Sequence, residues 1–258
     1  MFRKSRIALL TTLFFILSTG FLYAGPLEDC AEYAKMGVPG QSGDLLCRTG
    51  YLLAHSPENK TPIWVAEHLT ADKAASTEVS RYNKFQPDPD LEKGKRAELS
   101  DYAKSGYDRG HMAPAADMKW DQDAMVQCFY LSNMIPQVGK GMNQGIWNNL
   151  EAKVRKWAIN RGELYIFTGP IYDGGVQKTI GTNKVAVPSH IYKIVYDPNK
   201  KEAIAFIMPN EPLNTSDMPD YIVTIRDVEA KTGLDFLSSL EKGMQDNVET
   251  QKAPGLWN

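Results

Sequence analysis

Short strand-forming runs separated by turn residues constrain the fold of this 258-residue chain more than any other feature. Residues 163–168, 191–196 and 203–208 are apolar runs, each bounded by Gly, Pro or Asn. The Asp-Pro-Asn sequence at 197–199 lies between the last two runs and is typical of a hairpin turn. These runs therefore predict a central antiparallel sheet.

The first half of the chain adds two strands and a loop. Residues 51–55 and 62–69 form apolar runs joined by a polar segment, which predicts a second pair of strands. Residues 81–91 contain Pro87 and Pro89, so this stretch cannot be the interior of a helix and is expected to cross the surface as a loop.

Helices are fewer than strands in the predicted architecture. Apolar periodicity predicts one helix over residues 142–159 and another over 221–232, the second ending at Gly233, where glycine permits a left-handed cap. The sequence contains no internal repeat and no linker rich in Pro or Ser. We therefore expect one α+β domain in which helices flank the central antiparallel sheet.

The N-terminus has the pattern of an export signal. Arg3, Lys4 and Arg6 precede an apolar run over residues 7–17, and small residues lead to Ala24. This pattern predicts a signal peptide over residues 1–24. A membrane anchor is disfavoured because a span needs roughly 20 consecutive apolar residues and this run is shorter. The mature chain would be periplasmic or secreted, with no stable membrane association.

The cysteines are consistent with an oxidising compartment. Cys30 and Cys47 are the natural disulfide pair, and their bridge would tether an N-terminal arm over residues 25–48. Cys128 lies in an apolar, strand-like run over residues 126–131, so we expect a buried free thiol. No CxxC pair or Cys/His cluster of zinc spacing occurs, which argues against structural zinc.

Two polar motifs carry the candidate chemistry. The sequence Asp-Arg-Gly-His at 108–111 places the His111 imidazole beside the Arg109 guanidinium. Further along the chain, Asn143 and Glu151 place an amide oxygen and a carboxylate on one predicted helix, roughly 80° apart around its axis. Together the motifs supply a general base, a phosphate clamp and a ligand for a hard metal, the minimum for hydrolysing a phosphodiester.

These motifs also resemble those of a known family. Asp-Arg-Gly-His, its continuation Met-Ala-Pro-Ala-Ala at 112–116, and the Asn-Gln-Gly…Trp…Leu-Glu pattern at 143–151 are similar to the signature of the DNA/RNA non-specific endonucleases. The resemblance is to the secreted bacterial sugar-non-specific nucleases, which have a ββα-metal motif. The resemblance runs from about residue 49 to about residue 236 and implies a nuclease domain over 49–258.

The resemblance implies an exported, Mg²⁺-dependent endonuclease. Such an enzyme hydrolyses phosphodiester bonds of DNA and RNA without strong sequence or sugar preference and leaves 5′-phosphate ends. Mn²⁺ is a possible substitute at an oxygen-rich site. The resemblance also leaves a protein inhibitor possible.

Each motif residue has an expected role. His111 would act as the general base, and Arg109 would stabilise negative charge on the phosphate oxygens. The resemblance implies that Asn143 is the direct Mg²⁺ ligand and that Glu151 bonds to metal waters. Mg²⁺ would polarise the phosphate and supply a water that protonates the leaving oxygen.

Other roles for these side chains stay open. Asn143 could only cap a helix, and Glu151 could only form a salt bridge with Arg155 one turn along the helix. His111 could instead ligate a transition metal together with Asp108 and Asp117. Asp108 is otherwise expected to pair with Arg109 or to cap backbone amides of the turn.

Three further residues follow from the resemblance. Residues 132–137 resemble the second strand of the family motif, so Asn133 is expected to face the site and to orient His111, metal water or phosphate. Arg81 and Arg155 match family arginines that bind the substrate phosphate. In this chain, the region from Phe85 to Pro87 departs in length from the family pattern.

The net charge of the chain is negative. Without residues 1–24 the chain would carry 26 basic and 31 acidic residues, a net charge of −5, which is unusual for a protein that binds a polyanion. A local basic cleft on an acidic body would resolve this. The alternatives are a secreted nucleic-acid-binding module without catalysis and a phosphodiesterase for small substrates.

Overall fold

The computed structural model describes residues 26–258. The predicted signal peptide, residues 1–24, lies outside the described residues. Among the residues described, no helix is both long enough and apolar enough to cross a membrane.

The described residues form the following strands: β1 (Asp44–Arg48), β2 (Tyr51–Ser56), β3 (Thr61–Thr70), β4 (Asp108–His111), β5 (Met134–Gln137), β6 (Glu163–Ile171), β7 (Thr179–Ile180), β8 (Val185–Ala186), β9 (His190–Asp197), β10 (Glu202–Pro209) and β11 (Ile222–Val223). Seven of them build one sheet in the order β1-β2-β3-β6-β9-β10-β11, and every neighbouring pair is antiparallel. The expected central antiparallel sheet is confirmed, including the hairpin between β9 and β10.

The helices are α1 (Pro26–Asp29), α2 (Ala71–Ala75), α3 (Leu99–Tyr102), α4 (Gln122–Gln127), α5 (Asn148–Arg161), α6 (Ile225–Thr232) and α7 (Lys242–Thr250). Helix α5 and the strand pair β4–β5 lie on one face of the sheet, where apolar side chains of α5 and β5 join those of β3, β6 and β9 in one core. Helices α6 and α7 cover the opposite face and build a second core around Phe236. The candidate motifs all lie on the first face.

The N-terminal arm is joined to the sheet. Residues 44–48, expected to be part of the arm, form the edge strand β1 and pair with β2. The expected disulfide between Cys30 and Cys47 is present, with the two Cα atoms 5.7 Å apart. The bridge therefore fastens the beginning of the arm directly to the edge of the sheet.

The prediction of a strand at residues 126–131 is wrong. Helix α4 occupies Gln122–Gln127 and starts at Asp121, whose side chain accepts hydrogen bonds from the amides of Asp123 and Ala124. This N-cap outweighs the apolar strand-like composition. Cys128 is nevertheless a buried free thiol, as expected.

The helix predicted over residues 221–232 begins later than expected. Thr224 caps α6 and forms a reciprocal capping box with Asp227, so the helix starts at Ile225. Gly233 ends the helix in the left-handed conformation, with φ of 71°, as the sequence predicted.

Candidate active site

The two sequence motifs meet in a ββα arrangement. Strands β4 and β5 are antiparallel, with His111 opposite Met134, and β5 leads through a helical segment, Gly139–Trp147, into α5. Residues 128–131, predicted as a strand that leads into this motif, lie outside β5, and the 3₁₀ turn Leu131–Asn133 comes before it. The expected ββα motif is confirmed.

The predicted continuous helix over residues 142–159 is interrupted. Gly145 has φ of −120° and ψ of −112°, and Gly141 has φ of 84°, so regular helix begins only at Asn148. The inference that Asn143 and Glu151 share one helix axis is therefore wrong. Both side chains nevertheless line the same cavity, because the kink turns the segment before α5 toward β4.

This cavity is open to solvent and has a volume of about 730 Å³. Five of the residues selected from the sequence line it, namely Arg81, Arg109, His111, Asn143 and Glu151. Asp108 lines it too, so two guanidinium groups lie beside one imidazole and two carboxylates. The lining thus has as many carboxylates as guanidinium groups, and the expectation of a locally basic cleft is not confirmed.

Asp108 sets the orientation of the Asn143 amide. The Asn143 Nδ2 group donates to Asp108 Oδ2 at 2.8 Å, and Gln144 Nε2 donates to the same oxygen at 2.8 Å. Since a carboxylate only accepts, the nitrogen of Asn143 must face Asp108 and the amide oxygen is left available. The expectation that Asp108 pairs with Arg109 or caps backbone amides is wrong.

An available amide oxygen with a carboxylate on the same cavity fits a hard divalent cation. Asn143 and Glu151 are both half-buried, and within residues 26–258 the Glu151 carboxylate forms no salt bridge. Asp117, by contrast, binds Arg155, and Asp108 binds the two amides. A transition-metal site built from His111, Asp108 and Asp117 is therefore not favoured.

Aromatic rings surround His111. Its ring lies 5.0 Å from the Phe129 ring, nearly perpendicular to it, and 5.5 Å from the Phe85 ring. Nε2 is buried and has no hydrogen-bond partner among the described residues. Burial, together with the positive charges of Arg81 and Arg109, lowers the pKa of His111 to about 3, so the imidazole is neutral at neutral pH.

Glu151 responds to burial in the opposite direction. Burial raises the pKa of Glu151 to about 7, against the opposing effect of the Lys193 ammonium, while Asp117 raises it further. A cation bound beside Glu151 would favour the charged carboxylate and lower this pKa. The carboxylate is therefore sensitive to whatever occupies the cavity.

Asn133 and Arg155 do not line the cavity. Asn133 is fully buried; its side chain accepts from the amide of Ala113 at 2.9 Å and donates to the carbonyls of Ala113 and Cys128. It therefore holds the backbone that follows His111, and the expectation that it faces the site is wrong. Arg155 forms an ion pair with Asp117 at 2.8 Å, and the alternative pair with Glu151 is not formed.

Comparison with known proteins agrees with this geometry. The profile of the family described as DNA/RNA non-specific endonuclease matches residues 30–243. The chain belongs to the DNA/RNA non-specific endonuclease family. The sequence-based prediction of a nuclease is thereby confirmed.

Individual relatives support the same assignment. Nuclease C1 of Cunninghamella echinulata var. echinulata is 40% identical over 221 residues, covering 80% of this chain and 88% of the relative. Human mitochondrial endonuclease G is 35% identical over 222 residues, covering 81% of this chain and 74% of the relative. A chain in the crystal structure of the EndoG/EndoGI complex superposes with a TM-score of 0.78 and 35% identity, covering 84% and 94% of the two chains.

The family motif did not identify every residue that shapes the site. Phe85 contacts both His111 and Arg109, and Gln144 shares the Asp108 carboxylate with Asn143. Gln144 lies inside the recognised motif, but its partner is distant in sequence. Phe85 lies in a loop that is positioned by contacts with residues distant in sequence. No local sequence pattern therefore predicts that Phe85 lies in the cavity.

Proposed function

We propose that this chain is a Mg²⁺-dependent endonuclease that hydrolyses phosphodiester bonds of DNA and RNA and leaves 5′-phosphate ends. The observation that carries the proposal is one open cavity lined by His111, Asn143, Glu151 and two arginines. One phosphodiester in this cavity would contact a neutral base, a ligand for a hard metal and two guanidinium groups that bind phosphate.

Asn143 is the direct protein ligand of the metal in this proposal, and Glu151 binds the ion through water. Asp108 keeps the amide oxygen of Asn143 directed away from itself. Bound Mg²⁺ supplies polarisation of the phosphate and stabilises negative charge on the leaving oxygen. Mn²⁺ substitutes for Mg²⁺, because amide and carboxylate oxygens accept both ions.

His111 takes the proton from the attacking water. With a pKa near 3 the imidazole is neutral but weakly basic. A phosphodiester bound beside Arg81 and Arg109 would offset their positive charges and raise the pKa of His111 toward its usual range, which makes it a better base with substrate bound. The same two guanidinium groups stabilise the charge that develops on the phosphorus oxygens.

Arg155 and Asn133 support the site from behind the cavity. Arg155 holds Asp117, and Asn133 fixes the backbone after His111. In this proposal neither residue touches the reacting atoms, and Arg81 and Arg109 alone bind phosphate directly.

Contacts restricted to phosphate and metal give little means of distinguishing bases or 2′-hydroxyl groups. We therefore propose activity on both DNA and RNA.

Export to the periplasm or the medium is supported by the basic, then apolar, N-terminal sequence and by the disulfide between Cys30 and Cys47. In the EndoG/EndoGI complex EndoG is inhibited, which supports a protein inhibitor for this chain as well.

Digestion of circular single-stranded DNA and of RNA tests this function. The protein is incubated with each substrate in Mg²⁺, Mn²⁺ or EDTA, and ligation of the products reports 5′-phosphate ends. We expect metal-dependent cutting of both substrates. No cutting with any divalent ion would favour the binding module, and cutting of one substrate alone would contradict the lack of sugar preference.

A competition assay addresses the small-substrate alternative. A chromogenic phosphodiester is hydrolysed in the presence of long DNA, and the endonuclease predicts strong inhibition by the DNA. Hydrolysis unaffected by DNA would instead indicate a phosphodiesterase for small molecules.

A further inference from the structure

Phe85 lies between two groups that the proposed chemistry requires. The Arg109 guanidinium carbon lies 4.2 Å from the centre of the Phe85 ring, and the His111 ring centre lies 5.5 Å from it. Phe85 itself packs edge-on against Phe129 at 5.0 Å, and Arg81 lies 5.0 Å above the Phe129 ring. The base and both arginines therefore contact one aromatic pair, Phe85 and Phe129.

The loop that carries Phe85 is held in place on both sides. The amide of Gln86 donates to the carbonyl of Phe129, and the carbonyl of Gln86 accepts from the amide of Leu131. Two residues later, Asp88 is fully buried and accepts two hydrogen bonds of 2.7 Å from Arg48, and Ser132 also donates to it. The backbone that carries Phe85 is therefore fastened to residues 129–132, just before β5, and to β1 at the edge of the sheet.

The contact between the Phe85 ring and Arg109 restricts the position of the guanidinium group. A guanidinium over an aromatic ring is attracted by the negative charge of the ring face, and the ring restricts where the side chain lies. Arg109 makes no salt bridge to a carboxylate within residues 26–258. The Phe85 ring is thus the contact that holds the Arg109 head group in the cavity while leaving its N–H groups free for an anion.

We propose that Phe85 is a positioning residue, whose ring fixes the Arg109 guanidinium and the His111 imidazole relative to each other for phosphodiester hydrolysis. The proposal rests on the proposed function of this site. Removing the ring keeps both Arg109 and His111 in the protein but allows the Arg109 guanidinium to turn away from the phosphate.

Steady-state kinetics on a short fluorescence-quenched oligonucleotide test this role. Phe85→Leu is compared with Phe85→Tyr, which keeps the ring, and with Phe236→Leu, which removes a ring from the core on the opposite face of the sheet. Thermal unfolding is followed for every variant, so that kcat is compared only where the protein is folded.

Phe85→Leu is expected to lower kcat roughly 2- to 30-fold, the range of a partly desolvated cation–π contact, with a smaller change in KM. Phe85→Tyr is expected to retain most of the activity. Phe236→Leu is expected to lower the melting temperature without changing kcat. In an Arg109→Ala background, Phe85→Leu is expected to have a much smaller effect than in the wild-type background.

The outcomes separate this inference from the proposed function. A wild-type protein that cuts and a Phe85→Leu variant with the same kcat would overturn the positioning role alone. So would effects of Phe85→Leu and Arg109→Ala that are fully additive. A wild-type protein that cuts no substrate would overturn the proposed function, and the positioning role with it.

Discussion

The ion pair between Arg48 and Asp88 is buried, and Asp88→Asn should therefore destabilise the fold strongly. Arg48 is 8% exposed and Asp88 is 0% exposed, and two hydrogen bonds of 2.7 Å join them. Asparagine has the size of aspartate but leaves the Arg48 guanidinium with only the exposed Asp90 as a counter-charge. Breaking such a pair costs about 3–5 kcal/mol, so we expect the free energy of unfolding to fall by that amount and the melting temperature by roughly 10 °C.

Urea unfolding followed by tryptophan fluorescence under oxidising conditions measures this loss. The double variant Arg48→Met, Asp88→Asn should lose less stability than Asp88→Asn alone, because no guanidinium charge then stays buried without a buried counter-charge. Glu92→Gln, which breaks an exposed pair with Lys95, is the control and should leave the midpoint unchanged. A loss below about 1 kcal/mol in Asp88→Asn, or a double variant at least as unstable, would refute the reasoning.

Three further predictions concern other parts of the fold. Replacing Cys30 and Cys47, which are 17 residues apart, with serine should lower the free energy of unfolding by about 3 kcal/mol, and a reductant should destabilise wild type but not the variant. Burial lowers the pKa of His55 to about 4, so between about pH 6.5 and pH 4 the unfolded chain binds more protons than the folded chain. The free energy of unfolding should therefore fall by about 3 kcal/mol as the pH drops through this window. The same dependence of the free energy of unfolding on pH in His55→Leu would contradict this. Gly110→Ala should cost about 1–3 kcal/mol, since its Cβ would overlap Oε1 of buried Gln137, and wild-type stability in urea would argue against the clash.

The strands could be predicted from sequence because their signals are local. The runs at 163–168, 191–196 and 203–208 alternate with turn residues, and each became a strand of the sheet. The strand prediction for residues 126–131 failed because their apolar composition is typical of a strand, whereas the N-cap Asp121 starts a helix just before them. The interruption at Gly145 was also missed, because helical periodicity on either side of a glycine does not reveal a kink.

The candidate site shows the same division between local and distant information. The motifs identified His111, Arg109, Asn143 and Glu151, which line one cavity. Which partner each side chain selects depends on contacts that no local pattern encodes. Asp108 binds Asn143 rather than its neighbour Arg109, for example, because β4 and the segment after β5 meet in space.

Chemical rescue of a His111→Gly variant tests the central claim most directly. Glycine leaves a space in the cavity where free imidazole can bind and accept the proton of the attacking water. We expect the variant to be folded, to cut circular DNA at least about 100-fold more slowly than wild type, and to regain activity with added imidazole as the pH rises through the pKa of imidazole. An Asn143→Ala variant should lose activity but gain nothing from imidazole. Wild-type activity in His111→Gly, or a loss that imidazole does not restore in a folded variant, would contradict the role of His111 as the general base.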